Sequence, residues 1–139
     1  MLVVVFSASE TIYKDGGSMT RKLENLLMSK PELRSLPATI IDGKIVSFGE
    51  LLERVKSGDT KALDKLRKLG LDPEAEDIIL AEEFWKRAPK DMKLYFLDID
   101  KPITIEEAIW HIRAGDRIGK VLVKAYQMFK KRIAEIAGE

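Results

Sequence analysis

A chain of 139 residues, 45% hydrophobic and 34% charged, has the size and composition of one ordinary globular domain, and no apolar run approaches the ~18 residues of a membrane span. The lack of cysteine excludes disulfides, thiolate metal sites and thiol chemistry. The net charge of +1 hides a split: residues 1–70 carry +3, residues 71–100 carry −5 and residues 101–139 carry +3, which sets an acidic middle either beside a basic C-terminal helix or on a separate surface.

Asn25 is the only asparagine and Gln127 the only glutamine, while Lys, Arg and Glu abound. That bias fits a hyperthermophile source. The N-terminal run Met1 to Phe6 is too short, and lacks the basic leader, for a signal peptide. A cytoplasmic protein is expected, with no membrane association.

In chain order, Leu2 to Phe6 is a continuous apolar, β-branched run and reads as a buried strand. Ser7 to Ser18 reads as a loop ending in Asp15-Gly16-Gly17-Ser18. Ser18 or Thr20 then caps a helix that runs to about Ser29, with Leu23, Leu26 and Leu27 inward, and Pro31 stops it. Two β-prone runs, Ala38–Ile41 and Lys44–Phe48, flank Asp42-Gly43 and predict a hairpin. Short helices are expected over Glu50–Lys56 and Lys61–Leu69, the second closed by Gly70. Asp72-Pro73 opens a further helix to Ala88, although Ile78-Ile79-Leu80 also permits a strand over Asp77–Ala81. Met92 to Ile99 alternates like a strand whose two faces are both apolar and hence both covered.

The last quarter, Thr104 to Ala137, is read as one long amphipathic helix. Thr104 and Glu107 form a capping box, and Ile103 and Ala108 stand where a hydrophobic staple packs. Ile118, Val121, Leu122, Ala125, Phe129, Ile133 and Ile136 recur as an apolar face. The expected fold class is α+β: a single compact domain with a small mixed sheet of about four strands, including one hairpin, packed with helices.

Several constellations bear on function. Arg113, Arg117, Lys120, Lys124 and Lys131 recur at helical spacing and form a basic stripe, the candidate nucleic-acid contact, with a solvated helix back as the plainer reading. Gly16, Gly17 and Ser18, with Arg21 close by, form a weaker candidate anion loop between a strand and a helix start. That loop matches neither the P-loop nor the dinucleotide fingerprint, and no cofactor is expected. His111 is the only histidine and cannot build a multi-histidine metal site, so no metal is expected. Trp85, Trp110, Tyr126 and Phe129 read as core aromatics rather than a stacking surface.

Asp98-Ile99-Asp100 after an apolar strand resembles the nucleophile motif of haloacid dehalogenase-type phosphatases, which implies phosphoryl transfer with magnesium through Asp98 and Asp100; Pro102 departs from that motif. Leu36 to Val46 resembles the closing hairpin of thioredoxin-like folds, which implies their fold without their redox cysteines. The strand–helix–strand order with Ile118-Gly119 in a C-terminal helix resembles the small non-catalytic subunit of the KEOPS tRNA-modification complex.

The expectation that follows is a non-enzymatic accessory protein that docks a protein partner or a second copy of itself through its C-terminal helix. The alternatives are an RNA- or tRNA-binding accessory subunit and a phosphate- or metal-dependent enzyme using Asp98 and Asp100.

Overall fold

The computed structural model describes the backbone of residues 8–69 and 76–138 and the side chains of residues 19–69 and 76–138. The elements run α1 (Ala8–Ser29), a 3-10 turn (Pro31–Ser35), β1 (Pro37–Ile41), β2 (Lys44–Ser47), α2 (Phe48–Lys56), α3 (Thr60–Arg67), α4 (Glu76–Lys86), β3 (Lys93–Leu94), β4 (Ile103–Thr104), α5 (Ile105–Ala114) and α6 (Arg117–Gly138). The class is α+β, as the sequence predicts. Among the described residues the strands do not form one mixed sheet, however: β1 pairs with β2 and β3 with β4, in two separate antiparallel ladders.

The hairpin forms where Asp-Gly places it. Asp42 and Gly43 both take positive φ, 51° and 78°, which is the turn whose twist suits a two-residue hairpin loop. Ile41 pairs with Lys44 and Ile40 with Ile45 across it. Caps explain the next two helices. The Ser47 side chain accepts from the Glu50 N–H, and the Asp59 side chain accepts from the Lys61 and Ala62 N–H groups, so each hydroxyl or carboxylate satisfies first-turn donors.

Two expectations along this part of the chain need correction. Residues 8–18 are helical, not a loop: α1 runs unbroken from Ala8. The expected strand over Leu2–Phe6 and the Asp72-Pro73 helix start lie outside the described residues. Asp77–Ala81 belongs to α4, so the helix reading holds over the strand. Among the described residues only Lys93 and Leu94 of the expected Met92–Ile99 strand pair with a neighbour. Leu94 and Phe96 do turn inward, but Tyr95 and Leu97 are exposed and nothing covers that face among the described residues.

The C-terminal quarter also differs. Two helices replace one, and the break has a local cause. Gly115 takes φ 69° and caps α5, its N–H donating to the carbonyls of His111 and Ile112. Asp116 then starts α6, its carbonyl accepting from the Lys120 N–H at 2.9 Å and its side chain from the Gly119 N–H at 2.9 Å. The chain turns back so closely that a Cβ on Gly119 would stand 2.0 Å from the His111 carbonyl oxygen. The start of α5 follows prediction: Thr104 and Glu107 make both halves of the capping box, and Ile103 and Ala108 are buried in one cluster.

α6 is the spine. It packs against α1, α4 and α5. Its lower half, Ile133 and Ala137, closes a core built with Leu23, Leu27, Val46, Phe48, Leu51 and Leu66. Its upper half places Leu122 among Ile103, Ala108 and Ile112, with Trp85 and Phe96 against them. Between the two lies Tyr126 with Leu80 and Ala81. Each fully buried Leu, Ile, Val or Phe among them contributes about 1.5–3 kcal/mol by leaving water.

Candidate nucleic-acid interface

The buried stripe of α6 is Gly119, Leu122, Tyr126, Lys130, Ile133 and Ala137. It is rotated from the expected apolar face: Val121 and Ala125 are exposed, and Tyr126 and Lys130 take inner positions. The inner lysine is neutralised. Lys130 Nζ donates to Asp77 Oδ1 at 2.6 Å, and Gln127 Nε2 donates to the other carboxylate oxygen at 3.0 Å. Tyr126 donates its hydroxyl to the Pro37 carbonyl at 2.9 Å, and burial, with the Asp77 charge adding, pushes its phenol well above the usual tyrosine range. The sequence reading missed Asp77, Lys130 and Gln127. Period alone could have flagged Lys130, four residues after an aromatic and three before an isoleucine on one face.

The basic stripe does not stay whole. Arg113 lies on α5 and forks onto Glu82 of α4 by two bonds of 2.8 and 3.0 Å. The hydrogen bonds from Arg113 hold the Glu82 carboxyl down to about 2. Arg117 opens α6 and pairs with Asp98 at 2.8 Å. Lys120, Lys124 and Lys131 are exposed and make no ion pair among the described residues. At 100° per residue these three fall within one side of α6, at separations of about 6 and 10 Å along its axis. Of the helix's six basic residues, Lys130 and Arg117 are paired with acids elsewhere, and Arg132 lies 3.8 Å from Glu135, the one acid on the helix. The net positive charge left on α6 is therefore on its outer side. The acidic middle of the chain does meet the basic C-terminal quarter, through Asp77–Lys130, Glu82–Arg113 and Asp98–Arg117.

A shallow hollow of about 410 Å³ lies at the α5–α6 corner, lined by Gly115, Asp116, Arg117, Lys120, Val121 and Lys124. Asp116 contributes a carboxylate whose two oxygens are both engaged. Oδ1 accepts from Gly119, and Oδ2 lies 2.6 Å from His111 Nδ1. The Gly119 N–H, helped by His111, holds the Asp116 carboxyl below the usual carboxylate range. His111 is half-buried at this corner, so its partner is an acid five residues on. The signal for that partner was the Gly-Asp pair at 115–116, a helix stop followed by a helix start.

The other candidate sites come apart. Gly16, Gly17 and Ser18 lie inside α1, where backbone N–H groups are taken up by the helix, and Arg21 is exposed one turn further on. This removes the loop geometry on which the anion reading stood. Asp98 and Asp100 lie in the loop between β3 and β4, four or more residues beyond the end of β3, rather than at a strand end. No group of three His, Asp or Glu side chains among the described residues is placed to hold a metal ion. Trp85, Tyr126 and Phe129 pack inside, whereas Trp110 is 63% exposed. No described helix is long and apolar enough to cross a membrane.

The chain matches no family model, no curated protein and no solved structure.

Proposed function

We propose that this chain is a non-enzymatic RNA-binding accessory protein whose outer α6 face tracks the phosphate backbone. The observation that carries the reading is the row Lys120, Lys124 and Lys131: three exposed lysines on one side of one helix, without ion-pair partners among the described residues. Phosphates are the anions that such a row suits, because each lysine is a strongly hydrated point charge that needs no shaped pocket. No aromatic ring stands in the row, Tyr126 being buried, so the contact is to backbone rather than to stacked bases. Sequence-independent, salt-sensitive binding is the expected behaviour.

Docking through the apolar side of α6 has less in its favour. Leu122, Ile133 and Ala137 are core residues, and a partner on that side would have to open the fold. The enzymatic reading loses part of its premise, because Asp98 and Asp100 stand in the β3–β4 loop rather than at a strand end.

The test is titration of labelled tRNA and single-stranded RNA at low and near-physiological salt. Three phosphate contacts give a log–log salt slope of about −2 to −3. The double variant K120E/K124E is expected to abolish binding. Absence of binding by the unaltered protein at low salt would make the row a solvated helix back and would end this reading.

A further inference from the structure

The outer face is not uniform: at its upper end the three cations Arg117, Lys120 and Lys124 line one hollow, and one of them is already occupied by an internal anion. We infer that this hollow is the anchoring phosphate subsite of the RNA-binding face, and that Asp98, reaching Arg117 from the β3–β4 loop, holds the place of a phosphate oxygen until RNA displaces it. The inference rests on the RNA-binding reading above.

The two arginines beside the row show why Arg117 is the one to be released. Arg113 is forked onto Glu82 by two bonds, and the Glu82 side chain is only 22% exposed. Arg117 makes a single contact of 2.8 Å to an Asp98 whose side chain is 58% exposed. An exposed pair of that kind contributes little, so an incoming anion can exchange for it at small cost. A phosphate group can accept two parallel N–H bonds from a guanidinium, which a single-contact carboxylate does not match.

The hollow's other linings agree with a nucleotide unit rather than a lone ion. About 410 Å³ exceeds what one phosphate fills. Val121, 45% exposed between Lys120 and Lys124 in sequence, supplies an apolar floor for a sugar ring. Asp116 also lines the hollow, but both its oxygens are turned to Gly119 and His111. It blocks the start of α6 itself, so an anion is directed to the Arg117–Lys120–Lys124 side.

The experiment measures binding of a fluorescent RNA hairpin to the full chain and to D98N, D100N, R117A and D98N/R117A, each across a salt series. D98N is expected to bind about two- to fivefold more tightly, the gain that losing a pair worth up to ~1 kcal/mol permits. Its salt slope is expected to match that of the unaltered protein, because Arg117 meets phosphate in both once Asp98 is displaced, whereas R117A is expected to flatten the slope by about one contact. D100N changes charge equally on the same loop and is expected to shift affinity by much less. The gain should vanish in D98N/R117A. If D98N binds like the unaltered protein, or if D100N gains as much, the subsite is overturned while the lysine row still stands through its own variant. If neither the unaltered protein nor D98N binds RNA at low salt, the RNA-binding reading falls and takes the subsite with it.

Discussion

Lys130 and Lys131 are neighbours in sequence and opposites in the molecule. Lys130 is 7% exposed, 2.6 Å from Asp77 and 5.3 Å from the centre of the Tyr126 ring. Lys131 is exposed and has no ion-pair partner among the described residues. One step of about 100° around α6 separates a structural charge from a free one. A run of lysines on a helix is therefore not one feature. The one on the inner side is matched by Asp77 of α4, and those on the outer side are left for a partner or for water.

The largest effect is expected from removing the inner charge. Lys130→Ala or Asp77→Ala leaves a buried charge without its main partner and is expected to cost about 3–5 kcal/mol in chemical denaturation. Replacing both by apolar residues of similar volume should restore most of that loss, because the desolvation of both ions is then removed as well. A cost below ~1 kcal/mol for either single variant would mean that Lys130 behaves like its exposed neighbour.

Next in size is Gly119→Ala. Its Cβ would meet the His111 carbonyl oxygen at 2.0 Å and the Ile112 Cα at 2.9 Å, all backbone, which cannot swing aside. Overpacking of this kind costs about 1–3 kcal/mol, and here the relief must come from α5 and α6 moving apart. The same movement should disturb the hollow between Arg117 and Lys124, so RNA affinity and stability are expected to fall together. A variant that keeps both would show that the corner tolerates separation.

A smaller effect is written into the Arg113–Glu82 fork. The folded-state pKa of Glu82 is depressed to about 2 from an ordinary 4.5. A depressed carboxylate contributes stability above its unfolded value and loses it as pH falls through the folded one. The stabilisation is therefore full above about pH 5 and fades toward pH 2. Glu82→Gln should lower stability at neutral pH by about 1 kcal/mol and leave it unchanged near pH 2, so that the two stability–pH curves converge in acid. Parallel curves would show that the fork adds nothing to folding.

Much of this fold was legible because its signals are local. Asp42-Gly43 needs positive φ at both turn positions, and Thr104 with Glu107 needs only three residues to satisfy two donors. What was not legible depends on distance or on competition between local signals. Gly16-Gly17 reads as a loop, yet α1 runs straight through it. Thr104 to Ala137 reads as one long helix, yet the left-handed Gly115 and the capping Asp116 together end one helix and start another. Met92 to Ile99 has strand alternation, but a strand needs a neighbour, and among the described residues only Lys93 and Leu94 have one. The candidate site divided in the same way. Helical spacing put Lys120, Lys124 and Lys131 on one side correctly. It could not show that acids 19 and 31 residues away in sequence hold Arg117 and Arg113, because nothing in a one-dimensional pattern says which acid a long side chain will meet.

The smallest stability effect is the one that most sharpens the contrast. Lys124→Ala and Lys131→Ala remove exposed side chains that touch no acid among the described residues, and each is expected to leave stability within about 0.5 kcal/mol of the unaltered protein. If the outer row is a phosphate-tracking surface, each variant should nonetheless weaken RNA binding and reduce the salt slope by about one. Lys130→Ala should show the reverse at temperatures where it remains folded: lower stability, with the salt slope unchanged, because its charge never faced the solvent. Two adjacent lysines that separate cleanly on these two measurements would establish that α6 divides its charge between holding the fold and meeting a partner. If Lys131→Ala lowers stability as Lys130→Ala does, the outer row is part of the fold's own electrostatics, and the charge on that side has a structural rather than a binding role.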